Sequence, residues 1–430
     1  MITNQLVEKA SKKAQGAQAI LRQIESTEVS FESDKLKAAQ SSQSTEIEVK
    51  VIANGKIGIS STTDIHDLDG VVDRALQSAE FGTQAHFQFP GPGQGADVEV
   101  FDETLPPVTK PEMIQIGEDM IGLVKEYRSD ILSEEVNIGK SISRSEFANS
   151  SGTEFAEEST SFGLWYEGQL VRDTDILSVW HGLERRNRDI DHAAIARKVI
   201  EQFRMAENTV PIHSGDMPVI LTPYGVAVLL MTLTLALDGK NALLGSSPLA
   251  GKLGQRITDE RFSLIDNPLI DYAANSSKYD GEGVPRQVTP LIEKGVLRHF
   301  LYDLDTAGRA GVKTTGHGAD REPTNLLIKA GDAPYSEMVK GIRKGLLVHS
   351  VMGLGQGNPI SGEFSVNVLL GYKIENGEVV GRVKDVMLAG NVFDALNDIV
   401  AIGDEAEWIG EWFGGSFPHV QVGKLSVVAR

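Results

Sequence analysis

Between Val219 and Leu237 the chain runs for 19 residues without a charge. A stretch this apolar has two folds open to it, a membrane span or an element buried on all sides. Pro223 and Gly225 interrupt it, and Thr222, Thr232 and Thr234 are polar. Val219-Ile-Leu reads as a strand. Helix can start only around Pro223, with Thr222 as its N-cap, and Asp238-Gly239 ends it. That leaves about 15 residues where a span needs ~20. The spacing predicts a buried helix over Pro223 to Leu237, and no membrane partner.

The rest of the composition agrees with a water-soluble globular chain. It has 430 residues, 41% of them hydrophobic and 23% charged, which favours two domains over one core. The formal net charge is −19, a field that repels phosphate backbones, so nucleic acid is not expected as a partner. Cysteine is absent, which excludes disulfides, thiolate metal sites and cysteine nucleophiles. The start, Met1-Ile-Thr-Asn-Gln-Leu, has neither a basic segment nor an apolar one, and a cytoplasmic protein is expected.

Residues 3 to 26 carry apolar groups at helical spacing, from Leu6 to Ile24. Alternating residues then meet at Asn54-Gly55, a hairpin signal. Asp69 to Phe81 and Lys110 to Tyr127 read as helices, and Phe89 to Gly95 as an exposed, mobile loop. From Ser133 to Arg185 the pattern is β, with a turn at Glu167-Gly168, and Asp189 to Asn208 returns to helix. Breakers between Asn208 and Pro218 mark the domain boundary, giving domains 1–210 and 211–430. Beyond it come short strands, with turns at Glu293-Lys-Gly295 and Glu375-Asn-Gly377 and a short helix at 336–344. The fold class is α+β: an N-terminal mixed α/β domain, then a largely antiparallel β domain with a buried helix.

The chemistry-bearing patterns are few. No His-Glu-x-x-His pair, Gly-x-Ser-x-Gly elbow or Walker loop occurs. The acidic run from Asp64 to Asp69 and the pair Asp189 and Asp191 precede helices, where carboxylates favour the positive dipole end. His299 and Asp303 read as surface residues. Gly353-Leu-Gly355-Gln-Gly357 is followed by Pro359 and a β-like run, so it reads as a loop and not as a phosphate cradle. The densest segment is Asp280 to Asn325. There Asp280, Gly281, Glu282 and Gly283, then Thr315, Gly316 and His317, then Asn325, combine tight turns with carboxylates and an imidazole. They are the candidates for a groove whose free backbone groups pair with an extended peptide. Alternatively, the glycines only supply turns.

At these residues the chain resembles the TldD/PmbA family, the so-called modulators of DNA gyrase. Carrying the resemblance are Asp280-Gly-Glu-Gly, Leu291-Ile-Glu-Lys-Gly-Val-Leu, Thr-Gly-His-Gly ending at Gly318, and Pro323-Thr-Asn325. Gly353-Leu-Gly, Gly362-Glu-Phe, Gly371-Tyr-Lys-Ile-Glu-Asn-Gly377, Leu388-Ala-Gly-Asn391 and Pro418-His-Val-Gln-Val-Gly423 continue it. One branch of the family resembles a zinc metallopeptidase, with His-Glu-x-x-x-His on a helix and a further ligand, usually Cys. The PmbA/TldE branch lacks these ligands. Here the corresponding helix, Pro223 to Leu237, has no His, Glu or Asp, and the chain has no Cys.

The resemblance therefore implies a non-catalytic TldE/PmbA-like subunit, with no cofactor of its own. Zinc is expected in a TldD-like partner. It also implies a homo- or heterodimer around a cavity that processes small or unfolded peptides. Two alternatives stay open: an independent metal-dependent peptidase built on Asp280, Glu282 and His317, and a homo-oligomeric peptide-binding protein.

Overall fold

The computed structural model describes residues 1–173, 175–318, 321–355, 358–410 and 414–429. Helix α1 (Ile2–Ser11) buries Leu6 and Ala10, then gives way to strand β1 (Gly16–Glu32). The single helix expected over residues 3 to 26 is thus two elements. Ala17 to Leu21 are buried on both faces of the sheet, so the alternation that marks a strand is lost there.

β1 pairs antiparallel with β2 (Lys35–Ala53), which turns at Asn54 and Gly55 (φ 50° and 77°) into β3 (Lys56–Thr62). Both positive φ values are those a type I′ hairpin needs. Helix α2 (Leu68–Ala79) lies on these strands. Of the acidic residues before it, Asp67 holds the N-cap position without capping and pairs with Arg74, while Asp69 pairs with Lys9. A Cβ on Gly58 of β3 would lie 2.1 Å from the Ala75 carbonyl oxygen and 2.6 Å from the Ala79 nitrogen. Gly58→Ala is therefore expected to push α2 off the sheet and cost about 1–3 kcal/mol, read as a lower urea midpoint.

The loop from Phe89 to Gly95 is exposed at its tip but anchored. Phe89 is buried, the Pro90 carbonyl accepts from Asn149 and Thr153, and the Gly93 carbonyl accepts from the Tyr279 hydroxyl. Helix α3 (Lys110–Tyr127) starts in a capping box of Thr109 and Glu112. Strands β4 (Leu132–Asn149), β5 (Glu154–Arg172) and β6 (Asp175–Arg185) complete a six-stranded antiparallel sheet in the order β3-β2-β1-β4-β5-β6. No turn occurs at Glu167-Gly168. β5 runs through it, and Gly168 leaves room for Phe203, which a Cβ would meet at 2.8 Å. Asp191 caps helix α4 (His192–Met205), on which Phe203 lies.

The second sheet begins with β7 (Gly215–Leu221), followed by helices α5 (Ala227–Leu237) and α6 (Gly239–Leu243). Short strands β8 (Leu264–Asp266), β9 (Thr289–Glu293) and β10 (Val296–Leu297) precede helix α7 (Leu304–Ala310) and β11 (Leu326–Ile328). Then come α8 (Tyr335–Lys340), β12 (Lys344–Met352), β13 (Glu363–Glu375), β14 (Glu378–Arg382) and β15 (Val386–Asn391). Helix α9 (Val392–Asn397), β16 (Ile399–Ile409) and β17 (Gly415–Ala429) finish it. The turns at Lys294-Gly295 and Asn376-Gly377 have the positive φ their sequence implies.

The strand order is β10-β9-β8-β11-β17-β15-β13-β12-β7, and β7 also pairs with β17. The strands β7, β12, β13, β15 and β17 therefore close into a ring, which leaves those edges no free partner. Among the pairings between these named strands, β7–β12 and β11–β17 are the parallel ones. α5 packs in one cluster with Leu221, Val348, Val366, Leu388 and Val420 of the ring. Another cluster joins the halves of the chain, bringing Ile220, Leu347 and Tyr372 against Phe162, Val199 and Phe203. The fold is α+β. No helix among the described residues is long and apolar enough to cross a membrane.

Candidate functional site

The buried helix starts later than its sequence suggests. Thr222 forms a turn: its hydroxyl accepts from the Gly225 N–H at 3.3 Å and its carbonyl from the Val226 N–H at 2.9 Å. Gly225 sits so close to β12 that a Cβ would lie 2.4 Å from the Val348 carbonyl oxygen. Regular helix begins at Ala227. Within α5, Ala227, Met231, Thr234 and Leu235 keep some exposure, and their spacing puts them on one face. At the N-terminal end of this face Tyr224, Ala227, Leu354 and Phe417 line a cavity of about 40 Å³. At the other end Thr234, Leu235, Asp238, Arg321 and Glu322 line a cleft of about 450 Å³.

The accessible face offers nothing to a metal ion. Thr232 donates to the Pro359 carbonyl and Thr234 to the Met231 carbonyl. Asp238 accepts from the Lys240 N–H and from the Arg321 guanidinium at 2.9 Å. Among the described residues no three His, Asp or Glu side chains converge as a metal site would require. Zinc does not fit the donors that this helix presents.

The segment from Asp280 to Asn325 is brought together, but as a buried network. Asp280, Glu282, Thr315, His317 and Asn325 are each no more than 6% exposed. Asp280 accepts three backbone N–H groups, from Glu282, Val284 and Gly318, at 2.8–2.9 Å. Burial still pushes its carboxyl above the ordinary carboxylate range, against those hydrogen bonds. His317 Nε2 lies 2.9 Å from Asp266, which leaves Nε2 as the donor, and Nδ1 lies 3.0 Å from the Thr315 hydroxyl. The Thr324 hydroxyl also donates to Asp266. The Asn325 amide donates to the Asn267 carbonyl and to Ser276.

The second anchor is against the first sheet. Glu282 accepts from Lys50 of β2 at 3.1 Å and from the Leu304 N–H at 2.8 Å, and burial pushes its carboxyl up. Gln18 of β1 donates to the Gly281 carbonyl, and the Gly281 N–H donates to the Gly318 carbonyl. Tyr279 stacks on Phe155 of β5 at 3.9 Å. Gly283 (φ 78°) faces the Phe147 ring, which a Cβ would meet at 2.5 Å, and the carbonyl of Gly316 (φ 75°) accepts from Arg286.

The expectation that these residues border a groove with free backbone edges is therefore corrected. Their polar groups are spent on the junction between the two sheets. The same geometry removes the metal site proposed on Asp280, Glu282 and His317, whose donor atoms face three different partners.

Asp303 is also corrected. It is 7% exposed, caps α7 through Thr306, and pairs with Arg321 at 2.5 Å. The loop at Gly353 runs into a 3-10 turn at Pro359–Ser361 and then β13, so it opens no long helix; Gln356 and Gly357 lie outside the described residues. One set of residues escaped sequence reasoning altogether. His181, His349 and His419 come from β6, β12 and β17 to a single cavity, and residues so far apart in sequence leave no spacing to read.

Comparison with known proteins bears on this arrangement. The family description "PmbA/TldA metallopeptidase C-terminal domain" matches residues 214–429, and "PmbA/TldA metallopeptidase domain 1" matches residues 17–79. An uncharacterized protein of Methanocaldococcus jannaschii is 26% identical over 89% of this chain and 90% of its own length. A protein named metalloprotease from Methanothermobacter thermautotrophicus is 26% identical over 86% of this chain and 84% of its own. The crystal structure of TldE from Thermococcus kodakarensis superposes with a TM-score of 0.92 at 21% identity, covering all of both chains. That of a putative modulator of a DNA gyrase from Thermotoga maritima gives 0.90 at 24%, covering 99% of each. The two structures speak for the fold, and the family descriptions, the first of which spans half of the chain, for descent. The chain belongs to the TldD/PmbA metallopeptidase family.

Proposed function

We propose that this chain is the non-catalytic, TldE/PmbA-like subunit of a cytoplasmic zinc metalloprotease that processes small or unfolded peptides. Zinc and the catalytic base belong to a TldD-like partner subunit. The observation that supports this is the accessible face of α5. In a metallopeptidase helix that face would present imidazoles and a carboxylate. Here it presents Ala227, Met231, Thr234 and Leu235. Such side chains neither ligate zinc nor take a proton from bound water. The clefts at the two ends of α5 then serve as wall for the partner's substrate.

The test is co-expression with a TldD-like chain from the same organism. A stable complex is expected, with peptide cleavage that depends on both chains. Failure to co-purify, together with cleavage by the partner that is unchanged without this chain, would overturn the reading.

A further inference from the structure

A cavity of about 180 Å³ lies where residues 276–281 pass over the strands β1, β4 and β5. It shares no lining residue with the cavities at either end of α5. Arg22 of β1, Ser145 of β4, Glu157 and Ser159 of β5, and Arg186 just beyond β6 line it. Each of these keeps part of its surface exposed, so a small solute can enter.

What marks this cavity is unused positive charge. The Arg22 side chain makes no hydrogen bond or ion pair among the described residues. Glu46 lies across from it in the β1–β2 register without closing a pair. The Arg186 guanidinium makes one long bond, 3.5 Å to the Thr160 carbonyl, and no ion pair among the described residues. Burial disfavours its charge and pushes its pKa down, although Glu157 and Glu184 stand near. Lys278 and Arg286 also stand close to Glu157. Cations therefore gather here in a chain whose net charge is −19.

The two acidic groups on the lining do not cancel them. Asp280 is held by three N–H groups, and burial pushes the carboxyls of Asp280 and Glu157 up, towards their neutral forms. Phe155 is stacked on both faces, by Phe147 at 4.9 Å and by Tyr279 at 3.9 Å, which leaves the cavity its positively polarised edge. Ser159 adds a hydroxyl without a partner among the described residues. A carboxylate complements these donors, and the apolar Ile20 on the same lining suits a short alkyl group beside it.

We propose that this cavity binds a small organic carboxylate between Arg22 and Arg186. Its source is either a free short-chain acid or the C-terminus of a short peptide. Calorimetric titration of the full chain with isobutyrate, with N-acetyl-alanyl-alanine and with the neutral amide of that peptide separates the two. The better-binding acid should bind at least about tenfold tighter than the amide, and it names the source.

Arg22→Gln and Arg186→Gln should each weaken binding about tenfold. Glu157→Gln removes a like charge from the wall and should tighten binding about threefold. Arg22 makes no polar contact that folding needs, so its variant tests the site even if Arg186→Gln unfolds. No binding of either acid overturns the proposal. So does equal binding of the amide, affinity unchanged in Arg22→Gln, or binding weakened by Glu157→Gln. None of these outcomes involves a TldD-like partner, so the subunit reading stands or falls separately.

Discussion

Acidification from pH 7 to pH 5 should cost the folded chain roughly 4–6 kcal/mol, through three histidines alone. Burial lowers His181 and His419 to about 4 and His349 to about 3, from 6.5 in an unfolded chain. Between those values the unfolded state binds more protons, so stability falls as pH drops through 6.5 and keeps falling until about 4. At pH 5 each histidine contributes about 2 kcal/mol, somewhat less where the ring touches cavity water. Lys198 adds a like charge near all three, which pushes the same way as burial; Glu201 and Glu407 stand on the same lining. Asp280 and Glu282, whose carboxyls are pushed up, act with the opposite sign. Substitution separates the two groups. Urea unfolding of His349→Gln at pH 5, 6 and 7 should show about a third of the pH dependence removed. A slope equal to that of the parent chain would mean that these imidazoles are not buried as the fold implies.

Lys50→Ala should destabilise the protein by about 3–5 kcal/mol, because it strands a carboxylate where no water reaches it. Lys50 and Glu282 are 8% and 4% exposed and join the two sheets. Without the ammonium group, Glu282 must take up a proton or remain an unpaired buried charge. A raised carboxyl pKa in the folded state gives stability at low pH that is lost as pH rises through it. The defect of Lys50→Ala should therefore be smaller at pH 5 than at pH 8. Adding Glu282→Gln, which still accepts from the Leu304 N–H, should recover more than half of the loss. If the double variant is as unstable as the single one, the packing of the lysine stem matters and its charge does not.

What could be read in the sequence depended on whether a signal was local. Turns were legible because Asn54-Gly55, Lys294-Gly295 and Asn376-Gly377 have few other conformations open to them. The cap at Asp191 was legible for the same reason. The ligand-free helix could be read because it required only the absence of donor side chains. Strand β1 was misread because helices cover one of its faces and the Tyr279–Gly283 segment the other. Gly168 was misread because a glycine that makes room for Phe203 looks the same as one that turns. The junction at Asp280 was recognised as important and misjudged in kind: sequence shows a carboxylate between glycines, not that Lys50 lies opposite, 232 residues away. The histidine cavity had no local signal at all.

Strand β17 carries a kinetic consequence. It pairs with β7, β11, β15 and β16, and its contact with β7 is what closes the ring around α5. During synthesis the apolar helix emerges long before residues 415–429 exist to seal it in. For that interval the second half of the chain can collapse but cannot complete its fold. Ribosome-bound chains that stop short of β17 should recruit chaperones through the exposed face of α5, and release should coincide with that strand's arrival. The helix that carries no catalytic groups would then be, on the ribosome, the most adhesive part of the molecule.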